Sequence, residues 1–279
     1  MDQVPTLAAN GLNMPVLGFG TFRLDEETVR AILPEALDLG YRHIDTAQVY
    51  GNEAAVGEVI SAAGLARNEL FVTTKVWVDH YEPTELMQSI EESLARLRLD
   101  QVDLLLLHWP VFGSKGMNPT LETLMRARSA GLTRHIGISN FNIDQTEQAA
   151  SFCGEGTLAT NQVEYHAYLN QRRLRRVLGR HNLVLTAHTP LARAQLVNDP
   201  VLWEIGSQYG KTAPQVALRW LIEQDRVAAI PATSNPHHAK ANIDVFKFSL
   251  SQQDQERIAA LDRGERLVDP DELSPAWDD

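Results

Sequence analysis

Short apolar runs alternate with amphipathic stretches through most of the chain. "VLGFGT" precedes "EETVRAILPEALDLG", "RHID" precedes "EAAVGEVISAAG", and "LFVTTKVW" precedes "PTELMQSIEESLARL". "VDLLLLHWP", "HIGISNF", "LATNQVEY", "NLVLTAH" and "VAAIPAT" follow, each leading into a helix-like segment. Such runs read as strands buried on both faces, and their alternation with helices of roughly 10 to 15 residues reads as a parallel sheet with right-handed crossovers. About eight such units in roughly 250 residues predict an α/β fold of the closed (β/α)8 TIM-barrel type. An open doubly wound sheet is the alternative, but its GxGxxG fingerprint is missing, because "GFGTFR" has Arg23 at the third glycine position. Ahead of the first unit, "TLAANGLNMPVLG" predicts an N-terminal β-hairpin turning at Asn10-Gly11. No linker or low-complexity segment interrupts the series, so residues 1–279 read as one domain.

Composition narrows the function classes. With 44% hydrophobic residues the chain can bury a large core. A net charge of -11 opposes nucleic-acid binding, which depends on clustered Lys and Arg. Cys153 is the single cysteine, so no intrachain disulfide is possible. The N-terminal residues lack a signal-peptide pattern and no segment has about 18 consecutive apolar residues. These features lead to an expectation of a soluble cytoplasmic protein with no membrane or nucleic-acid partner.

In a barrel, polar residues at the carboxyl ends of strands gain meaning, because active sites are built there. Asp45 ends the second strand, Lys75 interrupts "FVTTKVW", and His108 ends "LLLLH". Ser139 and Asn140 end "IGIS", Gln162 ends "ATNQ", and His188 ends "VLTAH". Taken singly, a strand-end Asp is more often a cap or ion-pair partner, a His a structural residue and a Lys a solvated one. Seven polar groups at one rim would be costly to bury without a purpose.

Their chemistry suits a polarised carbonyl. Tyr50 lies just past Asp45 and can return over the mouth as a proton donor. An adjacent Lys75 ammonium favours the phenolate and predicts a lowered Tyr50 pKa, with Asp45 holding Lys75 charged. His108 can donate to a carbonyl oxygen or relay a proton. No side chain is an evident nucleophile, so an external hydride from a cofactor completes the reaction. The amides and hydroxyl of Ser139, Asn140 and Gln162 suit a carboxamide such as nicotinamide carries. Other readings are a Schiff-base aldolase using Lys75, a metal-dependent hydrolase drawing on some of the nine histidines, and a cofactor-binding redox sensor without turnover. A paired Asp45 opposes the first, and the lack of HxH or HExxH pairs leaves the second without ligands.

"VLGFGTFR", "GYRHIDTAQVYGNEAAVG", "TTKVW", "DLLLLHWP", "GISNF" and "NQVEYH" stand in an order and spacing that closely resemble the aldo-keto reductases over essentially the whole chain. Within that family, "GLTRHIGISNF" and the tail "RLVDPDELSPAWDD" are most similar to the bacterial 2,5-diketo-gluconate reductases of the B type. The resemblance implies a catalytic tetrad of Asp45, Tyr50, Lys75 and His108 and a pocket lined by Trp77 and Trp109. It implies cofactor contacts from Thr21, Phe22, Ser139, Asn140, Gln162, His188, Thr233, Ser234, His238 and Asn242, with no metal. NADPH is the expected cofactor, with NADH also usable, and the expected partner is a small carbonyl substrate such as a keto-sugar acid or methylglyoxal. A monomer is expected.

Some positions depart from the family pattern. Many relatives have Tyr or Trp where His188 stands, and an imidazole stacks with less area. In "IPATSNPHHAKAN", Ala232 and His238 replace the Lys and Arg that in many relatives hold the adenosine 2'-phosphate, and Lys240 lies two positions further on. The connection "WPVFGSKGMNPT" and the tail after "RLVDP" are both short, which predicts an open mouth.

Overall fold

A computed structural model describes residues 4–113 and 116–278. Ser114 and Lys115, in the connection after His108, lie outside the described residues, as do residues 1–3 and Asp279. The predicted hairpin forms from β1 (Thr6–Ala9) and β2 (Leu12–Pro15). Its turn places Asn10 at φ 47° and Gly11 at φ 77°, the left-handed pair that a tight hairpin of this hand requires.

Eight parallel strands follow: β3 (Phe19–Gly20), β4 (His43–Asp45), β5 (Phe71–Val76), β6 (Val102–Leu107), β7 (Thr133–Ser139), β8 (Leu158–Glu164), β9 (Val184–His188) and β10 (Val227–Ala229). They pair in chain order from β3 to β10. Parallel bridges from Leu17 to Ala229 and from Gly20 to Ala232 join the first strand to the last, so the sheet is the closed barrel expected from the sequence. Closure explains the glycines of "GFG". A Cβ on Gly20 would stand 2.7 Å from the Ile230 carbonyl oxygen, and one on Gly18 would stand 2.7 Å from His43 Nδ1.

The connecting helices are α1 (Glu26–Asp38), α2 (Glu53–Ala62), α3 (Pro83–Leu97), α4 (Met117–Ser129), α5 (Ile143–Cys153), α6 (Arg172–Arg180), α7 (Pro200–Tyr209), α8 (Ala213–Ile222), α9 (Pro236–Ile243) and α10 (Gln252–Ala259). Most bury an apolar stripe against the rest of the fold. In α1 the stripe is Val29, Ile32, Leu33, Ala36 and Leu37, and Asp25 caps the helix by accepting from the Thr28 N–H at 2.8 Å. Among the described residues no helix is long and apolar enough to cross a membrane.

The period of two along a strand decides what lies inside the barrel. On β5 it puts Phe71, Thr73 and Lys75 on one face. On β6 and just beyond, it aligns Leu104, Leu106 and His108. Phe71, Leu104, Leu106, Val184 and Ala228 cluster with Leu12 and Met14 of the hairpin, which therefore plugs the floor with apolar side chains. One or two steps along the same faces, the polar residues emerge at the opposite rim.

Candidate active site

Lys75 is fully buried, and its ammonium donates to Asp45 Oδ1 at 2.5 Å, to the Thr46 carbonyl at 3.0 Å and to the Tyr50 hydroxyl at 3.2 Å. Three protons thus meet three acceptors. Strand β4 ends in Asp45, and a short 3-10 turn over Gln48–Tyr50 swings the phenol back above Lys75. The second Asp45 oxygen accepts from Gln162 Nε2 at 2.8 Å. His108 stands edge-on to both Tyr50 and Trp77, with ring centroids 5.7 and 5.3 Å away. The four residues proposed from sequence therefore share one site.

The electrostatics correct one expectation. Tyr50 has its pKa raised, because burial of the phenol outweighs the pull of Lys75, and the Asp45 charge pushes the same way as burial. Sequence registers the neighbouring cation but not the depth of burial. Burial also acts to lower the Lys75 pKa, yet Asp45 and Tyr50 overcome it and the ammonium ends above its ordinary value. His108 is held well below the usual imidazole range by burial, by Lys75 and by His188, so it is neutral at neutral pH. Its enclosed Nδ1 has no hydrogen-bond partner.

The carboxamide-type residues form a neighbouring network. Ser139 donates to the Gln162 carbonyl at 2.8 Å, and Asn140 Nδ2 donates to the His108 carbonyl at 3.0 Å. Asn140 sits at φ 63°, a left-handed conformation that Asn tolerates better than most residues. His188 Nε2 lies 2.9 Å from Asn140 Oδ1, and since an amide oxygen only accepts, the imidazole carries its proton on Nε2. Burial, followed by smaller opposing charge effects, drops the His188 pKa to about 4.

The remaining predicted residues divide by environment. Thr21 is fully buried and its hydroxyl donates to the Asp45 carbonyl at 3.0 Å, so this side chain braces the rim from behind. Phe22 is half exposed and packs on Tyr50 with centroids 5.1 Å apart. The Thr233 hydroxyl accepts from the Asn235 N–H at 3.0 Å. Ser234 and His238 are exposed at the start of α9, Lys240 is exposed in its last turn, and Asn242 lies buried near its end. Among the described residues these four make no side-chain hydrogen bond. Trp109 is buried, with its backbone N–H donating to the Tyr81 hydroxyl at 3.2 Å.

Three contributors were not foreseen. Gln48 accepts from the Trp77 N–H at 2.8 Å and donates to the Ser89 carbonyl at 3.0 Å, clamping the Tyr50 turn to β5 and α3. Asn52, fully buried, donates to the Thr21 and Leu24 carbonyls, both at 2.9 Å, and ties that turn to β3. The third is the tail, which despite its shortness reaches the rim expected to be open. Glu164, itself buried, accepts from the Leu267 and Val268 N–H groups at 2.9 Å, and Trp277 then meets Trp109 edge-on with centroids 6.5 Å apart. Asp278 caps the first turn of α5 by accepting from the Ile143 N–H at 2.8 Å.

Residues 16–263 match the model of the aldo/keto reductase family. The chain belongs to that family. As an aldo-keto reductase it is an NADP-dependent oxidoreductase. It is 40% identical over 268 residues to the methylglyoxal reductase DkgB of Salmonella typhimurium, covering 96% of this chain and 100% of the relative. It is 44% identical to an aldo-keto reductase of Mycobacterium marinum, covering 94% of this chain and 93% of that one. A crystal structure bearing the name of a 2,5-diketo-D-gluconic acid reductase B superposes with a TM-score of 0.96 at 46% identity, covering 99% of this chain and 98% of the other. The aldo-keto reductase of Bombyx mori in complex with NADP superposes with a TM-score of 0.89 at 31% identity, covering 96% of each chain.

Proposed function

We propose that this aldo-keto reductase reduces small aldehydes, ketoaldehydes or keto-sugar acids, with Tyr50 as the general acid. The observation that carries this reading is the Lys75 ammonium, anchored by Asp45 and donating to the Tyr50 hydroxyl, with a neutral His108 edge-on to the same phenol. NADPH, when bound, would supply the hydride. The raised Tyr50 pKa keeps the phenol protonated, which an acid needs before it can donate. As the proton leaves, the developing phenolate meets the Lys75 ammonium 3.2 Å away, so stabilisation grows along the reaction rather than in the resting enzyme. His108 orients the carbonyl oxygen toward Tyr50 through a hydrogen bond. Hydride at carbon and the Tyr50 proton at oxygen together yield the alcohol, and solvent returns the proton.

The donor set fits the cofactor. Ser139, Asn140 and Gln162 offer a hydroxyl and two amides for a carboxamide, with His188 beside them for the ring. Ser234 and His238 present unengaged donors at the start of α9, suited to a phosphate, with Lys240 and the buried Asn242 further along the helix. With Ala232 and His238 in place of two strong cations, NADPH is preferred over NADH by a moderate margin and NADH is usable.

Methylglyoxal and 2,5-diketo-D-gluconate, named in the relatives, are the first substrates to test. The Schiff-base alternative loses support because every Lys75 proton is already donated and the ammonium is held charged. The experiment is steady-state kcat/KM over aldehydes, ketoaldehydes and keto-sugar acids with NADPH and NADH. Turnover of at least one of these classes is expected, and none across the panel, with cofactor bound, would favour the non-catalytic sensor.

A further inference from the structure

Helix α6 reads "RRLRRVLGR", five arginines in nine residues of a chain whose net charge is -11. Leu174, Val177 and Leu178 face the barrel. The arginines make a poor first turn on their own terms. Like charges three or four residues apart repel, cations at a helix N-terminus oppose the dipole, and Gln171 provides no side-chain cap. Its amide donates instead to the Glu164 carbonyl at 2.8 Å.

Two of the arginines have ordinary partners: Arg180 pairs with Glu147, and Arg173 donates to the Asp278 carbonyl. Such partners are scarcer around a cavity of about 270 Å³ between α6 and the segment entering β10, lined by Arg172, Arg175, Arg176, Asp225 and Arg226 with Leu185. Arg172 and Arg176 make no hydrogen bond or ion pair among the described residues. Arg175 is half-buried, yet it donates to the neutral Gln224 and, at 3.4 Å, to the Tyr165 hydroxyl. Among the described residues Arg226 reaches the Gly179 carbonyl at 3.5 Å and Asp225 at 4.0 Å, whose side chain is 86% exposed. Four guanidiniums thus line one concavity against a single carboxylate, the largely solvated Asp225.

We infer that this cavity binds a compact polyanion, a small metabolite bearing two or more phosphate or carboxylate groups, at a site distinct from the carbonyl site. None of its lining residues belongs to the Tyr50 site or to the proposed cofactor contacts. Guanidiniums pair with such groups in bidentate fashion, and an anion here would relieve both the repulsion along α6 and the missing counterion of Arg175. The small volume and the acidity of the remaining surface favour a compact ligand over an extended polyanion, which would have to cross repulsive surface.

The test is calorimetric titration of the whole enzyme with inorganic pyrophosphate and, separately, citrate, against sodium chloride at matched ionic strength. One saturable site is expected for at least one probe, and the stronger probe tells phosphate from carboxylate. The double substitution Arg172→Gln with Arg176→Gln should weaken binding by about tenfold or more, whereas His238→Ala should leave it unchanged. The double variant should melt no lower than the parent, because it removes only repulsion, so lost binding cannot be ascribed to misfolding. The proposal is overturned if neither probe saturates, if the arginine substitutions change nothing, if His238→Ala abolishes the binding, or if a single-stranded oligonucleotide binds tighter than either probe.

Discussion

The ammonium of Lys75 lies 3.2 Å from the hydroxyl of Tyr50, inside a barrel where Lys75 itself is wholly shielded from solvent. In that geometry the phenol is the only group of the pair able to give up a proton usefully, since the ammonium is anchored by Asp45. Tyr50→Phe should therefore lower kcat by about 10²–10⁴-fold with cofactor affinity nearly intact. Single-turnover rates together with cofactor titration check this, and a variant retaining more than roughly a third of parental kcat with chemistry limiting would remove Tyr50 from the proposed role.

Asp45→Asn addresses the anchor. Asp45 raises the pKa of both Lys75 and Tyr50, so its loss lets Lys75 deprotonate at lower pH and lowers the Tyr50 pKa wherever the ammonium persists. The alkaline limb of the kcat profile should accordingly move to lower pH. An alkaline limb that stays in place would reduce Asp45 to a packing residue.

Much of this site was legible because strand ends and the period of two are written in short range. Phe71 to Lys75 and Leu104 to His108 each run from apolar floor to polar rim within five residues. The direction of the Tyr50 shift was not legible, since it depends on how many distant atoms exclude water from the phenol. Nor was the path of the tail. Its anchor joins Glu164 to Leu267 across 103 positions, and no local pattern announces a carboxylate reserved for two backbone N–H groups. Gln48 and Asn52 likewise act through contacts with other strands and helices.

Two histidines should make stability depend on acid. His43 and His188 both fall from 6.5 to about 4, chiefly through burial. The unfolded chain then binds protons that the fold refuses, so stability is complete above about pH 6.5 and declines as pH falls toward 4, by up to about 3 kcal/mol for each group. Urea unfolding between these limits should show the decline. His188→Leu should reduce its slope by about 1.4 kcal/mol per pH unit within the window.

Cofactor choice should respond to restored charge at the start of α9. His238→Arg adds a permanent bidentate donor, and one charge-assisted bond of about 1.5–3 kcal/mol corresponds to roughly 10- to 150-fold. The ratio of kcat/KM for NADPH over NADH should widen by that order. An unchanged ratio would relocate the phosphate contact, with Lys240 and the exposed Arg193 as the next residues to substitute.

The tail should tune substrate binding rather than chemistry. Trp277→Ala removes an edge-on aromatic contact with Trp109, worth about 0.5–1.5 kcal/mol, and should raise KM about two- to tenfold at constant kcat. An equal loss in kcat would mean that the tail acts on the reacting groups themselves.

Barrel closure also has a meaning for synthesis. Gly18 N–H donates to the Ala229 carbonyl and Gly20 N–H to the Pro231 carbonyl, so the first strand waits for the last. On a ribosome, which releases the chain from its N-terminus, Asp45, Tyr50, Lys75 and His108 all emerge long before the segment that locks their scaffold. A nascent chain halted before Ile230 holds every group of the proposed tetrad and lacks the seam that closes the ring around them.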